Sequence, residues 1–205
     1  MKVFVVGAHG QVGQLIVETL LTNDCEVMGG YREPASQAPA ASSAFTPVAF
    51  DLNQPIDELA AAMTGADAVI FAAGSAGKSL LAIDLDGAVK TMAAAQQAGV
   101  TRFIQLSTIN AELRDKWPDV LHDYYIAKFY ADEWLRTRTM LDWVIVQPVA
   151  LTNEAGTGKI TLQPAANGTI SRQDVATVLV EAVTSELHRE AIKIASGTVP
   201  IAQAF

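Results

Sequence analysis

The sequence predicts an α/β protein with one domain, built on a doubly wound parallel sheet with helices on both faces. Apolar runs alternate along the chain with segments of helical periodicity, which is the pattern of repeated βαβ units. Runs such as DAVIFAA and RFIQL have no polar alternation, as expected of strands covered by helices on both faces. A length of 205 residues fits a single domain spanning 1–205 better than two domains.

The expected elements follow in order along the chain. Strands are expected at 2–6, 25–31, 45–50, 67–73, 101–107, 142–147 and 190–195. Helices are expected at 11–22, 55–63, about 78–98, about 119–138 and 172–186. The Ala-, Ser- and Pro-rich stretch 33–47 predicts a flexible loop. The stretch 148–171 carries glycines and two short β-like pieces, and we expect it to face the substrate.

Composition narrows the class of partner. Hydrophobic residues make up 50% of the chain and charged residues 18%, which excludes a disordered chain. The net charge of −8 disfavours nucleic acid and anionic membranes as partners, which leaves a small-molecule substrate. The long helices expected at about 78–98 and about 119–138 could pair between two copies, so a monomer and a homodimer both stay open. The first segment lacks the features of a secretory signal, which favours a cytoplasmic protein. Cys25 is the only cysteine, so no disulfide or cysteine metal cluster is expected, and we expect it to be a buried residue at the start of a strand.

The segment VFVVGAHGQVG at 3–13 places three glycines between an apolar strand and an amphipathic helix. In that context Gly7 permits a tight turn, Gly10 lets a diphosphate approach the backbone, and Gly13 lets the helix pack closely on the strand. The free N–H groups at the start of the helix would then face the phosphates. The pattern predicts a dinucleotide site of the Rossmann-like type, although the spacing is G-x-x-G-x-x-G and a plain turn is the alternative.

The end of the second strand bears on the choice of nucleotide. It carries the sequence GGYREP, with Arg32 where a 2′-phosphate would lie. A guanidinium binds phosphate bidentately, which favours NADP over NAD. Glu33 is the competing residue, because a carboxylate there could bind the ribose hydroxyls instead.

Three residues form a candidate catalytic set. Tyr124 and Lys128 lie four positions apart, on the same face of one predicted helix. A tyrosine can protonate a carbonyl oxygen, and a neighbouring ammonium would lower its pKa toward neutrality. Ser107, at the end of a strand, could donate a hydrogen bond to the substrate oxygen, with Thr108 as the alternative hydroxyl. Each residue alone also fits a structural role, as a surface helix pair or a helix cap.

With these motifs in place, the chain resembles the small atypical short-chain dehydrogenases/reductases. This group includes NAD(P)H-binding, epimerase/dehydratase-like proteins and relatives of flavin and biliverdin reductases. The resemblance covers nearly the whole chain: VFVVGAHGQVG, YREP, FDL at 50–52, FAAG at 71–74, AGVTRFIQLST, YYIAKFYADEWL and GTISRQDVATVLVEAV are similar to segments of that group.

The resemblance implies roles for further residues. It places His9, Gln11 and Val12 in the cofactor loop. It also implies that Asp51 and Leu52 flank the adenine, that Ala73 and Gly74 support the ribose, and that Lys128 holds the nicotinamide ribose hydroxyls. Asp51 could equally cap a turn and Gly74 end a strand. Gln147 stands where relatives often carry arginine, which puts the charge of the substrate pocket in question.

Together these features predict an NADP(H)-dependent oxidoreductase that transfers hydride to a small carbonyl, quinone or flavin-like acceptor. Tyr124 would supply the proton, Lys128 would lower the pKa of Tyr124, and Ser107 would orient the substrate oxygen. Two alternatives stay open from the sequence. One is an NADPH-binding redox sensor with little turnover, and the other is an enzyme of the epimerase/dehydratase type.

Overall fold

A central sheet organises the structure, which is a computed structural model describing residues 1–205. In chain order the strands are β1 (Lys2–Val6), β2 (Glu26–Tyr31), β3 (Phe45–Ala49), β4 (Ala68–Phe71), β5 (Arg102–Leu106), β6 (Asp142–Pro148), β7 (Ala150–Thr152), β8 (Lys159–Thr161), β9 (Thr169–Ser171), β10 (Glu190–Ser196) and β11 (Val199–Pro200). The helices are α1 (Gln11–Thr22), α2 (Pro34–Gln37), α3 (Ile56–Ala62), α4 (Ala88–Gln97), α5 (His122–Arg138) and α6 (Arg172–Thr184).

The order of strands in the sheet determines where a ligand can bind. Nine strands run in the order β11-β8-β10-β6-β5-β4-β1-β2-β3, and seven of them, from β10 to β3, are parallel. The short strands β8 and β11 pair antiparallel at one edge, and β7 and β9 form a separate parallel pair. Chain connections reverse direction between β1 and β4. In such sheets the crevice outside the carboxyl ends of the strands at this point receives the ligand.

Two apolar cores lie on opposite faces of the sheet. One includes Ile16 of α1 and Leu179 of α6. The other includes Leu59 of α3, Met92 of α4 and Leu135 of α5. The apolar runs without polar alternation therefore form strands that are buried on both faces. This confirms the predicted class, a Rossmann-like doubly wound α/β fold.

Several predicted boundaries were wrong. The helix expected at about 78–98 begins as a π-helical segment, Leu80–Gly87, that continues into α4. The helix expected from about 119 is preceded by two 3₁₀ turns, Arg114–Lys116 and Asp119–Leu121, because Pro118 adopts extended backbone between them. The expected loop 33–47 contains α2, with Pro34 at its first position, and the region 148–171 carries three short strands.

Cys25 differs from its expected place. It is only partly buried and precedes β2, in the turn after α1, where its N–H donates to the Leu20 carbonyl. The turn holds the thiol at the edge of the core. No helix of the protein is both long and apolar enough to cross a bilayer. No group of three His, Cys, Asp or Glu side chains is placed to bind a metal ion.

Candidate functional site

A cavity of about 1130 Å³ opens at the carboxyl ends of the parallel strands. Its size exceeds that of an ordinary drug-sized pocket, so it has room for a dinucleotide and a small second molecule. All but one of the site residues expected from the sequence line it, namely Gly7, His9, Gly10, Gln11, Val12, Arg32, Asp51, Leu52, Ala73, Gly74, Ser107, Tyr124 and Lys128. The exception is Gly13.

The glycines of the first loop have separate tasks. Gly7 has a φ of +84°, and a Cβ there would lie 2.7 Å from the Ala73 backbone nitrogen. Only glycine fits this turn beside β4. A Cβ at Gly13 would overlap the Gly7 carbonyl, so this buried glycine lets α1 pack against the loop and does not contact the cavity.

The N-terminus of α1 is open to the cavity. Gly10 precedes the helix without a side-chain cap, and the first turn contains no acidic residue. The first helical hydrogen bond runs from the Gln14 N–H to the Gly10 carbonyl at 2.9 Å. The amides of Gln11, Val12 and Gly13 have no acceptor within the protein, and the first two residues line the cavity. Unpartnered amides at a positive helix end form an anion site, which fits a diphosphate.

The loops after β2 and β3 form one end of the cavity. Arg32 lines it, whereas Glu33 does not, and a Glu33 carboxylate oxygen accepts a hydrogen bond from the Ser36 hydroxyl at 3.2 Å. Asp51 lines the cavity and also caps a turn, because its Oδ1 accepts from the Asn53 backbone N–H at 3.0 Å. A cation and a carboxylate therefore flank this end.

Lys128 and Tyr124 meet at the other end of the cavity. The Lys128 side chain is buried, its Nζ donates to the Leu106 carbonyl at 3.1 Å, and Nζ lies 5.8 Å from the centre of the Tyr124 ring. Burial lowers the pKa of Lys128 and, with the charge of Asp84 next in weight, raises the pKa of Tyr124. The expectation that the Tyr124 pKa is lowered toward neutrality was wrong, because burial of the phenol and the nearby charge of Asp84 both raise it.

The two candidate hydroxyls have different partners. Ser107 lines the cavity but donates its proton to Oδ2 of buried Asp132, at 2.5 Å. The Thr108 hydroxyl lies 3.5 Å from the Tyr125 hydroxyl, and a hydrogen bond with Thr108 opposes the rise in the Tyr124 pKa. The Thr108 hydroxyl therefore contacts the tyrosines, while the Ser107 hydroxyl contacts Asp132.

Two carboxylates at this end were missed from the sequence. Asp84 is buried on the π-helical segment, and its Oδ2 accepts from the Ser75 N–H at 3.0 Å. A π-helical turn often marks a functional position. Asp132 lies four residues after Lys128, one turn further along the same face of α5. That spacing was the signal available for Asp132, while nothing in the sequence distinguished Asp84.

Gln147 does not determine the charge of the pocket. It is buried, it does not line the cavity, and its Nε2 donates to Glu112 Oε2 at 3.1 Å. Glu112 Oε1 in turn lies 2.7 Å from Lys193 Nζ. The cavity instead receives positive charge from Lys78 and Arg172, which both line it.

The buried carboxyl group of Asp132 should make the free energy of unfolding depend on pH. Burial, opposed by the Ser107 hydrogen bond and by Lys128, raises the pKa of Asp132 from 3.8 to about 6. The folded state therefore binds this proton more tightly than the unfolded state. Stability from Asp132 is present below pH 4 and is lost as pH rises through about 6, an effect of roughly 3 kcal/mol.

Asp132→Asn is expected to raise the free energy of unfolding at neutral and alkaline pH by roughly 2–3 kcal/mol, since the neutral amide avoids the cost of burying a charge. The gain should vanish at acidic pH. Denaturant unfolding across this pH range measures it, with Glu133→Gln as the control on the same helix. Equal gains for the asparagine variant at acidic and alkaline pH would contradict the burial argument.

The fold and the site together define a protein of the NAD(P)H-binding class. The chain belongs to the NAD(P)H-binding family, whose model matches residues 7–186. It is 38% identical over 212 residues to a Bacillus subtilis protein named as an uncharacterized sugar epimerase, YhfK, and the match covers 100% of this chain and 99% of that protein.

Two solved structures share this fold. The oxidoreductase ylbE from Lactococcus lactis superimposes with a TM-score of 0.95 at 40% identity, covering 100% of this chain and 94% of that one. A short-chain dehydrogenase/reductase from Veillonella parvula, in complex with NADP, gives a TM-score of 0.79 at 19% identity, covering 97% and 96%. The second likeness concerns the fold alone.

Proposed function

We propose that the protein is an NADP(H)-dependent oxidoreductase that reduces a small carbonyl, quinone or flavin-like acceptor. One observation carries the proposal: the unpartnered amides of Gln11 and Val12 open into the same cavity as Tyr124 and Lys128. A site for a diphosphate and a site for proton transfer therefore share one space. The name of the Lactococcus lactis relative, an oxidoreductase, supports the same reaction class.

The residues that would hold the cofactor follow the cavity from end to end. Arg32 would bind the 2′-phosphate, which is the reason to favour NADP over NAD, since the competing Glu33 lies outside the cavity. The remaining contacts would come from His9 and Gly10 beside the diphosphate, Asp51 and Leu52 at the adenine, Ala73 and Gly74 at the ribose, and Lys128 at the nicotinamide ribose hydroxyls.

Bound NADPH would supply the hydride. Tyr124 would donate its phenolic proton to the acceptor oxygen, so that a carbonyl and one hydride and one proton give an alcohol. Lys128, held by the Leu106 carbonyl, would orient its ammonium toward the ribose and the tyrosine. Thr108 lies beside the tyrosine hydroxyls and can accept or donate a hydrogen bond there.

The surroundings of Tyr124 favour the protonated phenol, which is the form that reduction uses. Alcohol oxidation needs a tyrosinate as base, whereas reduction needs the phenol as acid. Burial, followed by Asp84, raises the pKa of Tyr124, so the phenol persists at neutral pH. We therefore propose that the protein acts as a reductase.

The choice of cofactor is tested at Arg32. Arg32→Ala is expected to weaken NADPH binding by roughly 10- to 100-fold, because a charged hydrogen-bonding partner of the 2′-phosphate is lost. NADH binding should not change. Nucleotide fluorescence titrations of both variants measure the ratio, and Arg138→Ala, at the far end of α5, is the control. Equal NADPH and NADH affinities in the unmodified protein would remove the NADP assignment.

The reaction is tested by following NADPH oxidation with a panel of aldehydes, ketones, quinones and flavins. Turnover with any member, at a rate that Tyr124→Phe abolishes, supports the proposal. Tight NADPH binding without turnover of any acceptor would overturn it and favour a redox sensor.

A further inference from the structure

A buried carboxylate lies behind the cavity wall at Ser107. Asp132 is 2% exposed, and its Oδ2 accepts the Ser107 hydroxyl proton at 2.5 Å. This separation falls in the range of charge-assisted O–H···O⁻ hydrogen bonds, which are about twice as strong as neutral ones. The proposed reaction assigns this carboxylate no role.

The contact limits what Ser107 can do. A serine hydroxyl has one proton and two lone pairs. While that proton points to Asp132, Ser107 presents only lone pairs to the cavity and has no proton for a substrate oxygen. If Asp132 carries a proton of its own, it can donate to Ser107 and free the serine proton for the cavity.

The surroundings of Asp132 leave it incompletely paired. Its Oδ1 has no hydrogen-bond partner although it is buried. The groups that act on the carboxylate or feel its charge are Lys128, Arg136 and Tyr124 on α5, Ser107 after β5 and Gln147 on β6. Neither cation forms an ion pair with it, since Arg136 pairs with Glu133 at 3.1 Å and Lys128 donates to Leu106. Burial accordingly raises the pKa of Asp132 to about 6, close to physiological pH.

We propose that Asp132 is a positioning residue that decides whether Ser107 donates a hydrogen bond into the cavity. The ionised carboxylate holds the serine proton, and the protonated carboxyl group releases it toward the acceptor oxygen. The effect of this switch on turnover rests on the proposed reductase function, whereas the switch itself does not.

The switch is tested first without substrate. Carbon-13 NMR of protein labelled at the aspartate carboxyl groups follows Asp132 through a pH titration, with Asp132→Asn identifying its signal. Asp132 is expected to titrate well above the exposed aspartates, and to titrate higher still in Ser107→Ala, because the hydrogen bond that stabilises its charge is lost. Asp123→Asn, an exposed position at the start of α5, should leave the titration unchanged. An Asp132 titration that Ser107→Ala does not alter would overturn the proposal.

The consequence for turnover is tested with NADPH and a quinone. As pH rises through about 6, the unmodified protein should lose kcat on the order of 100-fold, the usual effect of losing one donor to a developing oxyanion, with little change in KM. Asp132→Asn and Asp132→Ala should lose this inflection, and Ser107→Ala should be slow and independent of pH. The same inflection in the unmodified protein and both Asp132 variants would contradict the switch.

Different results would overturn the reductase function and the role of Asp132. If no acceptor is reduced by any variant while the NMR titration responds to Ser107→Ala, the reductase function is wrong and the link between Asp132 and Ser107 holds. If a quinone is reduced and the titration does not respond, the reductase function holds and the role of Asp132 is wrong.

Discussion

Replacing Tyr124 by phenylalanine is expected to lower kcat for acceptor reduction by roughly 100- to 10,000-fold, the usual contribution of a positioned general acid. The substitution removes one oxygen from a side chain that lines the cavity, and leaves the ring in place. NADPH affinity should change little, because the phosphates and the adenine would bind at the opposite end. The loss should therefore fall on kcat and not on the binding of NADPH.

Steady-state kinetics and an NADPH titration of the same preparation separate the two effects. Tyr130→Phe is the matched control, since Tyr130 is half-exposed on the same helix and its hydroxyl accepts from Arg114 at 3.3 Å. The control should keep full activity. Normal turnover by Tyr124→Phe on an acceptor that the protein reduces would exclude Tyr124 as the proton donor.

Gly13→Ala is expected to have the largest effect on cofactor binding. Its Cβ would overlap the Gly7 carbonyl, so the loop and the start of α1 must separate. The shift moves the amides of Gln11 and Val12, and the loss of two charge-assisted hydrogen bonds should weaken NADPH binding on the order of 100-fold or more. Overpacking should also destabilise the fold by roughly 1–3 kcal/mol.

Gly99→Ala is the control that separates weaker NADPH binding from a general loss of stability. Gly99 has a φ of +78° with no atom near its Cβ position, so alanine there strains the backbone by roughly 1–2 kcal/mol without a clash. It lies beyond the end of α4 and does not line the cavity. Denaturant unfolding and NADPH titration are measured on both variants. Unchanged NADPH affinity in Gly13→Ala would show that the loop does not hold the diphosphate.

Local patterns in the sequence were sufficient to predict the fold and the glycine turn before α1. Apolar runs without polar alternation predict strands buried on both faces, and β1, β4 and β5 have that form. The glycine spacing predicts a tight turn and close packing of α1 on the loop before it. Both features involve residues that are near one another in the sequence. Because Tyr124 and Lys128 share a helix face, their position at one site also followed from spacing.

Properties that depend on three-dimensional surroundings did not follow from spacing. Asp84 reaches the site from a π-helical turn, and the partner of Ser107 comes from α5 rather than from its own strand. The direction of the Tyr124 pKa shift depends on how deeply the side chain is buried, which sequence spacing does not encode. Gln147 was singled out because relatives often carry arginine at its position, but its side chain points to Glu112 and does not line the cavity.

A crystal structure of the protein with NADPH would show whether the start of α1 binds the cofactor. We expect the diphosphate within hydrogen-bonding distance of the Gln11 and Val12 amides, with the 2′-phosphate beside Arg32 and the nicotinamide near Tyr124. A nucleotide bound elsewhere on the protein, or a complex in which these two amides contact no phosphate, would contradict this expectation.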